Sequence, residues 1–351
     1  MHFLEVYTNN MFRKKTNIRP NKLTKEAQKS MATRTLTAII GLAIVVPTIV
    51  FGEVPFLILC ILLAGIGAFE LVRCAKRKYN PLLYIVTILS IVMFAVFPLF
   101  RNGAEATNNE TWHLYTGYNS IYMSAFILSV GAVLVFCMPL IDKNFEVRDA
   151  SYIFAFGIII GMGIQSMLFL RYFPQHVIYE QIGVSEKTPF IDYAWSTSLF
   201  WLVIGGTCIS DIGAYFTGVL FGKHKMLERI SPKKTWEGFA GGVFFSITFI
   251  LLFGYIMASI GEPIIPGLFD LEHWYLLLIF AISIPVMSVI GDFVFSSIKR
   301  YYGIKDFGFI LPGHGGVLDR LDSVFFTCIS STILIIIFSC IINGNWGELF
   351  I

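Results

Sequence analysis

Apolar residues in this chain run in uninterrupted blocks of about 17 to 24, and that length constrains the fold before any motif is read. An α-helix rises ~1.5 Å per residue, so one such block covers the ~30 Å of hydrocarbon in a bilayer. Strands of an outer-membrane barrel would instead alternate apolar and polar side chains over about ten residues. Composition points the same way, because 56% of the 351 residues are hydrophobic and only 14% charged, against roughly 25% charged in globular proteins. The expected fold is all-α, that of a polytopic integral membrane protein.

Nine spans are expected, at about 35–51, 54–72, 82–100, 120–141, 151–171, 197–221, 239–261, 273–297 and 324–342. With a cytoplasmic N-terminus this topology leaves 23 of the 26 Lys and Arg residues on the cytoplasmic side and only Arg101, Arg171 and Lys187 on the other, as the positive-inside rule requires. Residues 1–34 are polar and basic and lack the apolar core and cleavage site of a signal peptide. They read as an arm lying against anionic headgroups, with the first block retained as an anchor. The chain then divides into N-terminal transmembrane helices (35–195) and a C-terminal catalytic region (196–351). The far-side loops near 101–119 and 172–196 carry no motif and read as connectors. Cys60, Cys137, Cys208, Cys328 and Cys340 lie in apolar blocks and Cys74 beside a basic cluster, so all six read as reduced packing residues.

Acidic residues fall in loops or at span ends, except Asp211 and Asp292, which sit inside expected crossings where a charge is costly. Thr207, Asp211 and Tyr215 share one face of the sixth span, and Ser288, Asp292 and Ser296 one face of the eighth. Both stripes are expected to point into the protein and to line one cavity open to the cytoplasm. For Asp211 the plainer alternative is a bond to a neighbouring helix.

Downstream of Asp292 the sequence from Ser296 to Asp322 is the densest in chemistry. Lys299, Arg300, Lys305 and Arg320 place four cations within a short stretch, which suits a polyphosphate better than a single carboxylate. Gly313, Gly315 and Gly316 let backbone N–H groups approach an anion ahead of a helix whose N-terminus favours negative charge. Asp319 and Asp322, three apart, project from one helical face and, with Asp292, offer hard oxygen ligands for Mg²⁺. Cations, glycines and carboxylates together describe nucleotide phosphate chemistry.

A second basic region lies upstream. Ser231-Pro232 can form an N-cap and first helical position, placing Lys233 and Lys234 in the opening turn of a helix. The region then binds a triphosphate or a cytosine, or is an ordinary surface turn. Trp236 and Tyr215 can stack on a base, and Trp is equally at home at a membrane interface.

The stretch from Ser296 to Asp322 resembles the signature of phosphatidate cytidylyltransferases, S-x-x-K-R-x4-K-D-x-G-x3-P-x-H-G-G-x2-D-R-x-D, with every specified position met. Ser210-Asp211-Ile-Gly-Ala-Tyr215, Phe221-Gly222-Lys223 and Ser231-Pro-Lys-Lys-Thr-Trp-Glu-Gly238 resemble the family's second region. Val219 departs from it, standing where a basic residue is expected. The resemblance is specific over about 200–325. It implies transfer of CMP from CTP to phosphatidic acid, giving CDP-diacylglycerol and pyrophosphate. It further implies that Asp292 and Asp319 hold a metal pair, Mg²⁺ with a second cation such as K⁺, that Asp322 is a weaker third ligand, and that the protein is a homodimer. On this reading Lys299, Arg300, Lys305 and Arg320 bind phosphates. His314 contacts the lipid phosphate or pyrophosphate, or makes a structural bond in the glycine turn. Ser210, Asp211, Tyr215, Lys223, Ser231, Lys233, Lys234, Gly315 and Gly316 are the expected substrate-binding positions. Membrane lipids surround the protein, no nucleic-acid partner is expected, and the expected location is a bacterial cytoplasmic membrane with the site facing the cytoplasm. The competing readings are a CTP-dependent polyprenol or lipid kinase and an ion-coupled transporter using Asp211 and Asp292.

Overall fold

The computed structural model describes residues 25–96, 119–182, 197–261, 263–265 and 267–343. Of the expected basic arm, 1–34, residues 1–24 lie outside the described residues, as do the loops carrying Arg101 and Lys187, while residues 25–34 are helical and continuous with the first span. Helices follow the apolar blocks: α1 (Lys25–Phe51), α2 (Glu53–Arg73), α3 (Pro81–Val96), α4 (Asn119–Ile141), α5 (Val147–Ile182), α6 (Ser198–Phe221), α7 (Trp236–Ser259), α8 (Trp274–Tyr301) and α9 (Leu318–Asn343). All but α3 are long and apolar enough to cross a membrane, eight among the described residues. The described part of α3 has 16 residues, about 24 Å at ~1.5 Å each, and the expected remainder of that span, 97–100, falls outside the described residues.

Between α6 and α7 the chain departs from expectation. Ser231 and Pro232 do not open a helix. They begin strand β2 (Ser231–Thr235), which pairs antiparallel with β1 (Lys225–Leu227) in the register Lys225↔Thr235 and Leu227↔Ser231. The N-cap is Thr235, whose Oγ1 accepts from Gly238 N at 3.1 Å, and Glu237 occupies the first turn of α7. This arrangement keeps Lys233 and Lys234 out of the turn where the helix dipole disfavours cations and places an acid there instead.

Close packing relies on small residues, as is usual between membrane helices. Gly238, Gly242 and Ser246 repeat at one-turn intervals on the buried face of α7 against α6. A Cβ on Gly242 would stand 2.8 Å from the Ser210 carbonyl, and Ser246 Oγ donates to Gly206 O at 3.1 Å. Helix α9 packs against both α8 and α5, joining the two halves of the chain. Cys60, Cys74 and Cys328 are buried, whereas Cys137 and Cys208 are exposed on helix faces rather than packed.

The basic connections converge at one end of the bundle. Lys76 Nζ donates to Gly303 O at 3.2 Å, Arg77 pairs with Glu146 and Asp149 at 3.3 and 3.0 Å, Arg300 Nε donates to Ile230 O at 3.3 Å, and Thr37 Oγ1 donates to Pro312 O at 3.0 Å. Arg171, expected at the edge of a far-side loop, is wholly buried within α5, its Nε donating to Ile49 O at 2.7 Å and its Nη2 to Val50 O at 3.2 Å.

Candidate active site

Four elements that meet at the basic end supply the charged side chains. Helix α6 carries Ser210 and Asp211, β2 carries Lys234, α8 carries Ser288, Asp292, Ser296 and Lys299, and α9 carries Asp319 and Asp322. Helical spacing brings Ser296 Oγ back onto Asp292 Oδ1 at 3.1 Å, one turn away. Lys234 Nζ reaches Asp292 Oδ2 at 2.6 Å from the hairpin, and Ser288 Oγ donates to Asp211 Oδ1 at 3.1 Å from across the α6–α8 interface. Asp211 lies within electrostatic reach of both Lys234 and Asp292.

Two turns beyond Asp292, Lys299 is buried and donates to Asp319 Oδ1 at 2.9 Å, with Asp322 Oδ2 at 3.9 Å. Asp319 Oδ2 accepts from Phe307 N at 2.8 Å and Gly316 N at 3.0 Å, and Asp322 Oδ1 accepts from Ser323 N at 2.7 Å. Asp322 also feels the charges of Asp292, Lys299 and Asp319. Asp211, Lys234 and Asp292 thus form one charged group and Lys299, Asp319 and Asp322 a second, and the electrostatic reach between Asp292 and Asp322 links the two into one charged run. Six expected site residues are brought together.

Others stand apart from this run. Tyr215, expected to face inward, is 67% exposed and packs on Phe216 with ring centroids 5.5 Å apart. It lies two turns beyond Thr207, toward the end of α6. Lys223, Lys233 and Lys305 are exposed, and Ser231 lies in β2. Arg300 is exposed apart from its bond to Ile230 O. Arg320 directs Nε and Nη2 at His314 O, 2.9 and 2.6 Å away, which fixes the glycine turn from the side. His314 Nδ1 is buried and has no hydrogen-bond partner among the described residues.

The glycine turn holds an anion of the protein's own. Gly313 and Gly315 adopt φ of 77° and 89°, backbone that glycine reaches without steric cost. Gly315 N donates to Leu311 O at 3.1 Å and Gly316 N to Asp319. The next two N–H groups, those of Val317 and Leu318, donate to the carboxylate of Glu70 on α2, at 3.0 and 2.9 Å. Glu70 is 1% exposed. Sequence reasoning passed over it as an acid at a span end. The signal was a lone carboxylate set between Phe69 and Leu71 in an otherwise uncharged block.

Among the described residues no three His, Cys, Asp or Glu side chains stand close enough to hold a metal by themselves. The donor chemistry nevertheless fits a divalent cation. The run contains four carboxylates and two ammonium groups, an excess of negative charge that such an ion would balance. Asp319 already accepts three hydrogen bonds, close to the roughly four positions a carboxylate offers. Asp292 and Asp322 keep more capacity.

Residues 32–338 match the cytidylyltransferase family. Relatives include the phosphatidate cytidylyltransferase of Bacillus subtilis (strain 168), 31% identical over 313 residues, covering 88% of this chain and 99% of that protein. That of Staphylococcus epidermidis (strain ATCC 12228 / FDA PCI 1200) is 33% identical over 309 residues, covering 87% of this chain and 99% of its own length. A match of this extent, over a chain whose membrane helices carry the charged run just described, shows that the protein belongs to the cytidylyltransferase family.

Proposed function

We propose that the protein is a phosphatidate cytidylyltransferase of a bacterial cytoplasmic membrane, with its active end facing the cytoplasm. The observation that carries the reading is the charged run from Asp211 to Asp319, placed where transmembrane helices meet the glycine turn. A diacyl lipid keeps its tails in the leaflet while its phosphate meets a soluble nucleotide, and a site at that depth serves both. The activity in the relatives' names supports CTP and phosphatidic acid as substrates, and it favours neither a lipid kinase nor a transporter. The basic segments 73–78, 143–148, 223–234 and 299–320, gathered at one end, support the orientation.

An oxygen of the lipid phosphate attacks the α-phosphorus of CTP. A new P–O bond forms, the bond from the α-phosphorus to the bridging oxygen breaks, and pyrophosphate leaves. No enzyme nucleophile is needed, so the protein contributes positioning and charge. Asp292 and Asp322, with Asp319, would hold a divalent cation, taken as Mg²⁺, which neutralises triphosphate charge when bound. Lys234 and Lys299 each carry three donors and occupy only some of them on aspartate, leaving the rest for phosphate oxygens. Arg300, Lys305, Arg320 and His314 of the same motif are the further phosphate contacts of this reading. The division at residue 195/196, a second cation such as K⁺ and a homodimeric assembly belong to the same proposal.

The test is turnover by purified protein in lipid nanodiscs with phosphatidic acid, Mg²⁺ and CTP labelled at either the α- or the γ-phosphate. The α-label is expected in the lipid with pyrophosphate released. A γ-label in the lipid with CDP released would refute the reading in favour of a kinase. Asp292→Asn and Asp319→Asn should each lower turnover by roughly 10²- to 10³-fold.

A further inference from the structure

Glu70 belongs to the N-terminal half of the chain, yet its carboxylate ends inside the motif of the C-terminal half. Both oxygens accept backbone N–H groups, from Val317 and Leu318, two of the four donors that a helix start leaves without intrahelical partners. The motif is shaped to admit it. A Cβ on Gly316 would stand 2.6 Å from either Glu70 oxygen, and one on Gly308 would collide with Glu70 Oε1. Two glycines of the motif are therefore spaces for this side chain.

The N–H group immediately before this pair, Gly316 N, goes to Asp319. The opening of α9 is thus held by two acids, one from its own first turn and one from α2. Asp319 lies in that turn and Asp322 one turn further on, so their placement against Lys299 follows the placement of residues 316–318.

We infer that Glu70 is a positioning residue for cytidylyl transfer, a clamp from α2 that sets the start of α9 and thereby aligns Asp319 and Asp322. The inference rests on the reading of the site given above. Glutamine at this position offers one accepting oxygen instead of two and turns an amide N–H₂ toward a backbone donor, so one of the two bonds is lost. Aspartate keeps the charge but is one methylene short.

The experiment compares wild type, Glu70→Gln, Glu70→Asp and Leu83→Ala in nanodiscs. It reads kcat per folded molecule, KM for CTP, and the thermal midpoint. Leu83 is fully buried on α3, a helix that contributes no side chain to the charged run, and serves as the control for lost stability alone. In Glu70→Gln, kcat is expected to fall on the order of 10- to 100-fold, as a misplaced catalytic group loses rate, with KM for CTP changed by less than about threefold. Leu83→Ala should lower the midpoint and leave kcat per folded molecule near wild type. A wild-type kcat in Glu70→Gln, or a loss no greater than in Leu83→Ala, overturns the inference. So does failure of both Glu70 variants to fold, which would make Glu70 a residue of folding only. Wild-type protein that makes no cytidine-containing lipid refutes instead the reading on which the inference rests.

Discussion

Lys299→Met isolates the energetics of the charged run. The substitution keeps the length of the side chain and removes the ammonium. By distance alone the Lys234–Asp292 pair, at 2.6 Å, would seem stronger than Lys299–Asp319, at 2.9 Å. Burial reverses that order. The side chains of Lys299, Asp319 and Asp322 are 11%, 4% and 11% exposed, those of Lys234 and Asp292 26% and 28%. Removing one partner of a buried pair strands a desolvated charge and costs about 3–5 kcal/mol. Asp319 keeps two backbone donors, which places the expected loss for Lys299→Met near the lower end, about 3 kcal/mol. Lys234→Met leaves a carboxylate that solvent still reaches, and about 1 kcal/mol is expected. Denaturant unfolding in detergent micelles, followed by loss of helical circular dichroism, measures both. Adding Asp319→Asn to Lys299→Met removes the stranded charge and should recover at least ~1 kcal/mol, a coupling of the size seen between residues in contact. A Lys234→Met variant at least as damaging as Lys299→Met, or a double variant no more stable than Lys299→Met alone, would refute the assignment of this site's stability to burial.

Three further outcomes test the packing and capping of the helices by the same unfolding measurement. Gly242→Ala drives a Cβ to 2.8 Å from a backbone carbonyl that cannot rotate away and should destabilise by about 1–3 kcal/mol. Gly41→Ala in α1 meets nothing within 4 Å and should be neutral or stabilising by up to ~1 kcal/mol. Thr235→Ala removes the side-chain cap of α7 and should cost about 1 kcal/mol.

How much of this was legible in the sequence depends on how local each cause is. Span positions are set by runs of adjacent apolar side chains, so the helices fall close to the expected blocks. Helix ends are less local. The last apolar span was expected from 324 with Asp319 and Asp322 at the start of its helix, and α9 does open at Leu318, where Glu70 and Asp319 satisfy its first N–H groups. The start of α7, by contrast, was misplaced at Ser231. Ser-Pro is a sound helix opening in isolation, but pairing with Lys225–Leu227 holds that segment as a strand. Within the site, Asp292, Asp319 and Lys299 were visible through their motif, whereas the Lys234–Asp292 contact joins a hairpin to a helix and no spacing rule reaches that far.

The glycine turn shows where the two kinds of information meet. Read from the sequence, its N–H groups ahead of a helix are a place for a phosphate. In the folded protein those of Gly316, Val317 and Leu318 are already spent on Asp319 and Glu70. The dipole and donors of α9 therefore fix the protein's own carboxylates, and the attraction left over for a triphosphate comes from side chains. Arg300 and Lys305 are exposed, and Arg320 is tied to the turn through His314 O. A substrate drawn in by these cations meets aspartates whose positions were set beforehand by a helix from the opposite half of the chain. That division of labour explains why a buried glutamate far from the motif in sequence should govern the rate without governing the affinity.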